Sequence, residues 1–258
     1  MKNYLALTFK ELKSFFVSPI AYVVLAVFFG VTGYFFYIIL SFYVEQAVMR
    51  QFGGPTSMAM DVPSMVMQSF LGVLSTILLF LLPMITMGSF ADERKQGTIE
   101  LLFTSPVTNA QVILGKFTAS VLFILLMFLP ALLNTGLLFF YSDPPPPLSP
   151  YLVGLLGAIL LSAALLSVGF FVSSLTENQI VAAAVTFGVF IILWVIDASA
   201  GSSTTVTNET LRYLSVLNHY EDFTRGILDT QHIVFYLSFI VLGLFLTSLS
   251  LDSAKWRK

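Results

Sequence analysis

Apolar residues run along this chain in long blocks separated by short polar clusters. Six intervals contain no Asp, Glu, Lys or Arg: Lys13 to Glu45, Asp61 to Asp92, Lys116 to Asp143, Asp143 to Glu177, Glu177 to Asp197 and Asp229 to Asp252. They enclose 31, 30, 26, 33, 19 and 22 residues. A hydrocarbon core about 30 Å thick needs about 20 helical residues to cross it. The pattern predicts an all-α membrane protein with six spans, near 20–43, 65–89, 110–140, 150–174, 180–197 and 231–251.

Smaller features refine this frame. Over 3–17, Leu5, Phe9, Leu12 and Phe16 recur at helical spacing among Lys10, Glu11 and Lys13, which predicts a basic amphipathic helix lying in the membrane interface. Ser18-Pro19 then starts the first span, since Pro suits the first turn of a helix. A loop is expected over 44–63, with Gly53-Gly54-Pro55 as its breaker. Pro83 predicts a kink in span two, and Lys116, near the start of span three, is expected to snorkel to the interface. Pro130 lies inside span three. Asn134, also in that span, is a candidate for hydrogen bonding between helices. Asp143 and Pro144 to Pro147 read as a stiff extended turn. In span four, Gly154, Ala158 and Ser162 form a small-residue stripe suited to helix packing. A short polar turn covers 173–179. In the polar stretch 198–230, Leu211, Leu214, Leu217, Tyr220, Phe223 and Ile227 predict one or two short amphipathic helices.

Composition supports a lipid environment. The chain is 57% hydrophobic and 10% charged, against about 25% charged in soluble domains. A net charge of −2 and the lack of a basic run give no sign of a nucleic-acid partner. Cysteine is absent, which removes disulfides and thiolate metal sites. Residues 1–13 are interrupted by charge and do not read as a signal peptide. With six spans, nine of the 12 basic residues fall on the side of the termini. The positive-inside rule then makes both termini, segment 92–108 and turn 173–179 cytoplasmic. The loops 44–63, 141–150 and 198–230 face outward.

The dense charge cluster 92–108 combines both signs with an apolar patch, Ile99, Leu101, Leu102 and Phe103. Two readings follow from the residues alone: a docking surface for a soluble partner, or an interfacial helix resting on headgroups. The run Glu93-Arg94-Lys95-Gln96-Gly97-Thr98-Ile99-Glu100-Leu101-Leu102, followed by Pro106 and Gly115-Lys116, resembles the signature E-x-x-x-G-T-x-E-x-L, Pro, G-K of ABC transporter permeases of type 2 (ABC-2). It sits between spans two and three, where that family has it. Two further stretches, Ser18-Pro19-Ile20-Ala21-Tyr22 and residues 218–229, are similar to the gliding-motility-associated branch.

The resemblance implies a single permease domain over 1–258 in a bacterial inner membrane, paired with a second permease copy, homodimeric or related. It is driven by two cytoplasmic ABC ATPase subunits, on which ATP and Mg bind. Segment 92–108 is then the coupling helix, with Glu93, Arg94, Gly97, Thr98, Glu100, Leu101, Leu102, Phe103 and Pro106 as coupling residues. Glu93, Arg94 and Glu100 would bond charged groups of the ATPase. Gly97 would permit a bend or a close approach, and Leu101, Leu102 and Phe103 would fill an apolar cleft. Glu177, Asn178 and Gln179 are candidates for a second cytoplasmic contact, with a plain solvated hairpin as the alternative. In this family re-entrant helices lie where 198–230 falls.

No G-x-x-x-x-G-K-[ST] occurs, so the chain itself is not expected to be an enzyme or to cradle ATP. His219 and His232 are the only histidines and make a poor zinc set, so no metal is expected. The function implied is outward movement of a substrate, lipid-like or amphipathic given the sparse polar residues in the spans. One alternative is a non-translocating subunit passing force to a periplasmic accessory or gliding-motility partner. A channel or secondary transporter is another, disfavoured by the near absence of charge at bilayer depth.

Overall fold

The structure is a computed structural model that describes residues 2–51, 61–98, 108–143, 145–199 and 215–255. Among them all regular structure is helical. In chain order the helices are α1 (Lys2–Val17), α2 (Pro19–Gln51), α3 (Val62–Thr86), α4 (Gly88–Lys95), α5 (Asn109–Met127), α6 (Leu129–Tyr141), α7 (Leu148–Leu175), α8 (Gln179–Ser199), α9 (Val216–Thr224) and α10 (Thr230–Lys255). Six helical stretches are long and apolar enough to cross a membrane: α2, α3 with α4, α5 with α6, α7, α8 and α10. They alternate in direction. One end of the bundle therefore gathers α1, α4, the turn after α7 and the end of α10. The opposite end gathers α9, the last turns of α2, α6 and α8, and the starts of α3, α7 and α10.

The boundaries have local causes. Asp61 caps α3 through the Ser64 amide at 3.3 Å, and Thr108 with Gln111 makes a reciprocal capping box at α5. Helix α2 runs through Val44–Gln51, where a loop was expected. Glu45, Gln46, Ala47 and Arg50 are good helix formers, and nothing breaks the helix before Gly53. Pro83 sits inside α3, and four residues later α3 gives way to α4 at Met87. Pro130 opens a new helix rather than interrupting one. The third span divides at Phe128 into α5 and α6, with Pro130 in the first turn of α6, where its missing N–H costs nothing. Ser173 lies within α7, so the polar turn is confined to 176–178.

Helices α3 and α7 are the buried axis, while α2, α8 and α10 keep most of their apolar surface outward. Close approach is permitted by small residues on α7. A Cβ at Gly154 would come within 2.3 Å of Leu71 Cδ1, and one at Gly169 within 2.3 Å of Thr86 Oγ1. Ala158 and Ser162 are also buried on this helix, the Ser162 hydroxyl donating to the Ala158 carbonyl at 2.6 Å. The Asn134 amide nitrogen is buried in α6 with no hydrogen-bond partner among the described residues.

Helix α1 puts only part of its apolar stripe against the bundle, Leu12 packing on the core. Leu5, Phe9 and Phe16 are exposed, while Tyr4, Thr8, Glu11 and Phe15 face inward. Tyr4 meets Thr118 at 2.6 Å, and Phe15 stacks on Phe123 with ring centres 4.9 Å apart. A helix with aromatic and aliphatic residues outward beside a span is suited to the boundary between headgroups and acyl chains.

Candidate functional site

The site is built at the end of the bundle that holds α1 and α4. Its centre is Lys116 on the first turns of α5. The side chain is buried rather than snorkelling, because two carboxylates meet it inside the protein. Lys116 Nζ lies 3.1 Å from Glu11 Oε2 on α1 and 2.9 Å from Glu93 Oε1 on α4. It also stands 5.6 Å from the centre of the Phe90 ring, within range of a cation–π attraction. One ammonium thus joins three helices that are distant in sequence. Removing one member of such a cluster leaves a buried charge without compensation, so the three are strongly interdependent.

A second set of contacts seats α4 on α7. The Ser173 hydroxyl accepts from the amides of Phe90 (3.1 Å) and Ala91 (3.2 Å), and donates to the Met87 carbonyl (2.9 Å). The two amides are among the donors that the start of a helix leaves without intrahelical partners. Phe90 packs edge-on against Phe170, with centres 5.6 Å apart. Gly88 lies so close to its neighbours that a Cβ there would come within 2.8 Å of Asp92 Oδ2 and 3.1 Å of Gln179 Nε2.

Helix α4 ends by a left-handed turn. Gly97 has φ 69°, and its N–H bonds to the Arg94 carbonyl at 3.1 Å. Thr98 completes the cap with its hydroxyl, which donates to the Glu93 carbonyl at 3.3 Å. Gly97 makes a bend here, and among the described residues nothing lies within 4 Å of its Cβ position.

Between α1, α2, α3, α4 and α5 lies a cavity of about 330 Å³. Glu11, Asp92, Glu93 and Lys116 form part of its polar wall, and Phe15 and Phe123 part of its apolar wall. Glu93 Oε2 is buried with no hydrogen-bond partner among the described residues. The base of α5 is tied across to the end of α10 by Asn109 Nδ2 donating to Asp252 Oδ1 at 2.6 Å. Ser250 of α10 donates to the Ser174 carbonyl of α7 at 3.1 Å.

A family model described as ABC-2 family transporter protein matches residues 5–251. The chain belongs to the ABC-2 transporter family. No curated protein matches it. As an ABC-2 protein it is a multi-pass membrane subunit of an ABC transporter, a permease of the kind that partners an ABC ATPase. The match does not separate one branch of the family from another.

Within this ABC-2 permease the residues singled out in the sequence divide into three groups. Glu93, Arg94, Gly97 and Thr98 come together at the end of α4, beside α1 and α5, with Arg94 partly buried. Glu93 Oε1 is paired with Lys116 of its own chain. Glu100, Leu101, Leu102, Phe103 and Pro106 lie outside the described residues. Glu177 and Asn178 are exposed in the turn before α8, where Asn178 Oδ1 accepts from the Ile180 amide at 2.9 Å, while Gln179 is turned toward α4. Sequence reasoning missed Glu11, Ser173 and the burial of Lys116. The only signals were two charges and a serine at three places that a linear pattern does not connect.

Proposed function

We propose that this ABC-2 permease works as a dimer driven by two ATPase subunits, and that α4 with the segment following it is the coupling element. The observation that supports this most is the cluster of Glu11, Lys116 and Glu93. It ties α4 to both the amphipathic helix and the third span. A push delivered at α4 would move α1 and the base of α5 together, because separating them would strand charges in a poorly solvated place. The end carrying α1 and α4 is cytoplasmic in this reading, in keeping with the basic residues gathered there. The described spans carry few polar groups that face a path, which suits outward movement of a lipid-like or amphipathic substrate.

The test is co-purification with the cognate ATPase from bacterial membranes. Glu100→Lys is expected to abolish capture of the ATPase while membrane insertion is unchanged. Undiminished capture would refute the assignment of the coupling element.

A second reading has the permease passing force to an envelope partner. It is favoured by residues 218–229, which resemble the gliding-motility branch and form α9 and its Gly226 turn at the end away from α1. Reconstituted vesicles containing both subunits separate the two: ATP-dependent movement of labelled amphiphiles across the bilayer belongs to the first reading only.

A further inference from the structure

The cavity beside the Glu11–Lys116–Glu93 cluster changes character with depth. Its polar wall lies at the end of the bundle, with Glu11 on α1, Asp92 and Glu93 on α4, and Lys116 on α5. Its apolar wall lies further inside, with Val24 on α2, Ile85 on α3 and Phe123 on α5. Phe123 is two turns of α5 beyond Lys116, about 10 Å along the helix axis. The order is that of a lipid in one leaflet, polar group at the boundary where α1 lies and chains toward the middle of the bilayer. A volume of about 330 Å³ falls within the range of about 300–1,000 Å³ typical of small-molecule sites.

The wall has hydrogen-bonding capacity that the protein does not use. The Lys116 ammonium meets one oxygen of Glu11 and one of Glu93. Glu93 Oε2 is left buried with no partner among the described residues. The Asp92 carboxylate, on the same wall, has no ion pair or hydrogen bond among the described residues. Ser120 follows Lys116 by one turn on the same face of α5. It is only 1% exposed, it lines the cavity, and its hydroxyl has no partner among the described residues. Buried polar atoms left in this way cost free energy that a bonded ligand recovers.

Charge says what kind of ligand. Glu11, Asp92 and Glu93 share the wall with Lys116 and Lys10, and Lys10 is exposed at the rim, 3.9 Å from Glu11. Arg94 and Lys95 are not on the wall, and no basic residue occurs in 99–107, the stretch that follows α4. The inner wall therefore calls for a cation with N–H donors. A bare metal ion does not suit it, because no group of three acidic or histidine side chains among the described residues is arranged to hold one. The apolar wall calls for a hydrocarbon body attached to the cation, and Lys10 at the rim can meet an anionic group beside it.

We propose that this cavity binds one ethanolamine phospholipid from the adjoining leaflet. Its primary ammonium donates to Glu93 Oε2, Asp92 and the Ser120 hydroxyl, its phosphate meets Lys10, and an acyl chain starts along Val24 and Phe123. A choline headgroup has the same charge but no N–H to donate. A glycerol headgroup has hydroxyls but no cation. The site lies within one chain, so it does not depend on what cargo the permease moves or whether it passes force. A lipid held there would touch α1, α4 and α5 together, at the joint of the coupling element.

The test is native mass spectrometry of the full-length permease, stripped of co-purifying lipid in detergent and then offered equal amounts of dioleoyl phosphatidylethanolamine, phosphatidylcholine and phosphatidylglycerol. One phosphatidylethanolamine per chain is expected to be retained about tenfold over either competitor, a difference of about 1.4 kcal/mol. Glu93→Gln, which keeps the size and removes the charge, should bring phosphatidylethanolamine down to the level of phosphatidylcholine. Asp92→Asn, at a half-buried position, should do likewise if the Glu93 variant does not fold. Glycerophosphoethanolamine, the same headgroup without acyl chains, should not displace the lipid at equal concentration. Equal retention of the three lipids by the parent overturns the proposal. So does a phosphatidylethanolamine preference that survives in whichever variant folds, or displacement by the chain-free headgroup. The measurement involves neither the ATPase nor transport, so its failure would leave the coupling assignment standing.

Discussion

The two ends of this permease each hold one short helix against the bundle, and they hold it differently. Helices α4 and α9 both end in a glycine with positive φ, Gly97 at 69° and Gly226 at 80°. In both, the turn after the helix closes on carbonyls of its last residues; at α9 the Gly226 and Ile227 amides bond to Phe223 and Asp222 at 3.0 and 2.9 Å. The anchors differ. Helix α4 is fixed by ion pairs to a buried lysine and by one serine hydroxyl. Helix α9 is fixed by ring packing, by Tyr220, and by the paired imidazoles of His219 and His232. Fixed charges make a joint that is costly to open. Packed rings, such as His219 on Phe235 with centres 4.0 Å apart, make one that strands no carboxylate when it opens. One fold thus carries a charge-clamped helix at one end and a ring-packed one at the other.

The largest effect that would break this comparison is loss of Lys116. Lys116→Met leaves Glu11 and Glu93 facing each other without a cation, which should cost about 3–5 kcal/mol, seen as a lower midpoint of thermal unfolding in detergent. Adding Glu11→Gln and Glu93→Gln to the same variant should restore most of the loss, because no buried charge then remains. A triple variant as unstable as the single one would mean that packing, not charge, holds the joint.

At the other end, Phe223→Ala should cost about 3–4 kcal/mol by emptying a fully buried ring site. Phe223 lies over Gly157, where a Cβ would come within 2.5 Å of the Phe223 Cβ. Here no charged partner is stranded, so no second-site charge change should rescue it. Limited proteolysis near 225–229 is the sharper readout, with cutting expected only when α9 has lifted.

A smaller change separates the two anchors of α4. Ser173→Ala removes the acceptor for two amides and the donor to Met87, an expected loss of about 1–3 kcal/mol. Hydrogen exchange should rise at Phe90 and Ala91, while the ion cluster at Lys116 stays closed. The smallest effect is Gly97→Ala, about 1 kcal/mol from the left-handed backbone, measured as faster exchange in the last turn of α4 only.

The spans were legible because lipid imposes a simple rule: charge is excluded for about 20 residues at a time. The extension of α2 to Gln51 was not, because polar residues at a span's end say where the membrane stops and not where the helix stops. The division of span three at Phe128 escaped for a related reason, since Pro130 reads alike inside a helix and at its start. The α4 region stood out through its charge density and its likeness to a family signature. Its anchors did not. Glu11 and Lys116 are 105 residues apart, and Ser173 and Phe90 are 83 apart. Such partners are chosen by the packing of α1, α5 and α7. Likewise His219 and His232 looked unremarkable in sequence, because only the left-handed turn at Gly226 folds α9 back along α10.

The central claim is that α1, α4 and the base of α5 move as one body. Distance measurements between paired spin labels test it most directly, on the complex with its ATPase in nanodiscs, with and without ATP and Mg. Labels at Leu5→Cys on α1 and Lys95→Cys on α4, both exposed, should keep one unchanged distance while the distance from Lys95→Cys to Val241→Cys on α10 shifts. A change in the α1–α4 distance on ATP addition, with α1 left behind, would contradict the account.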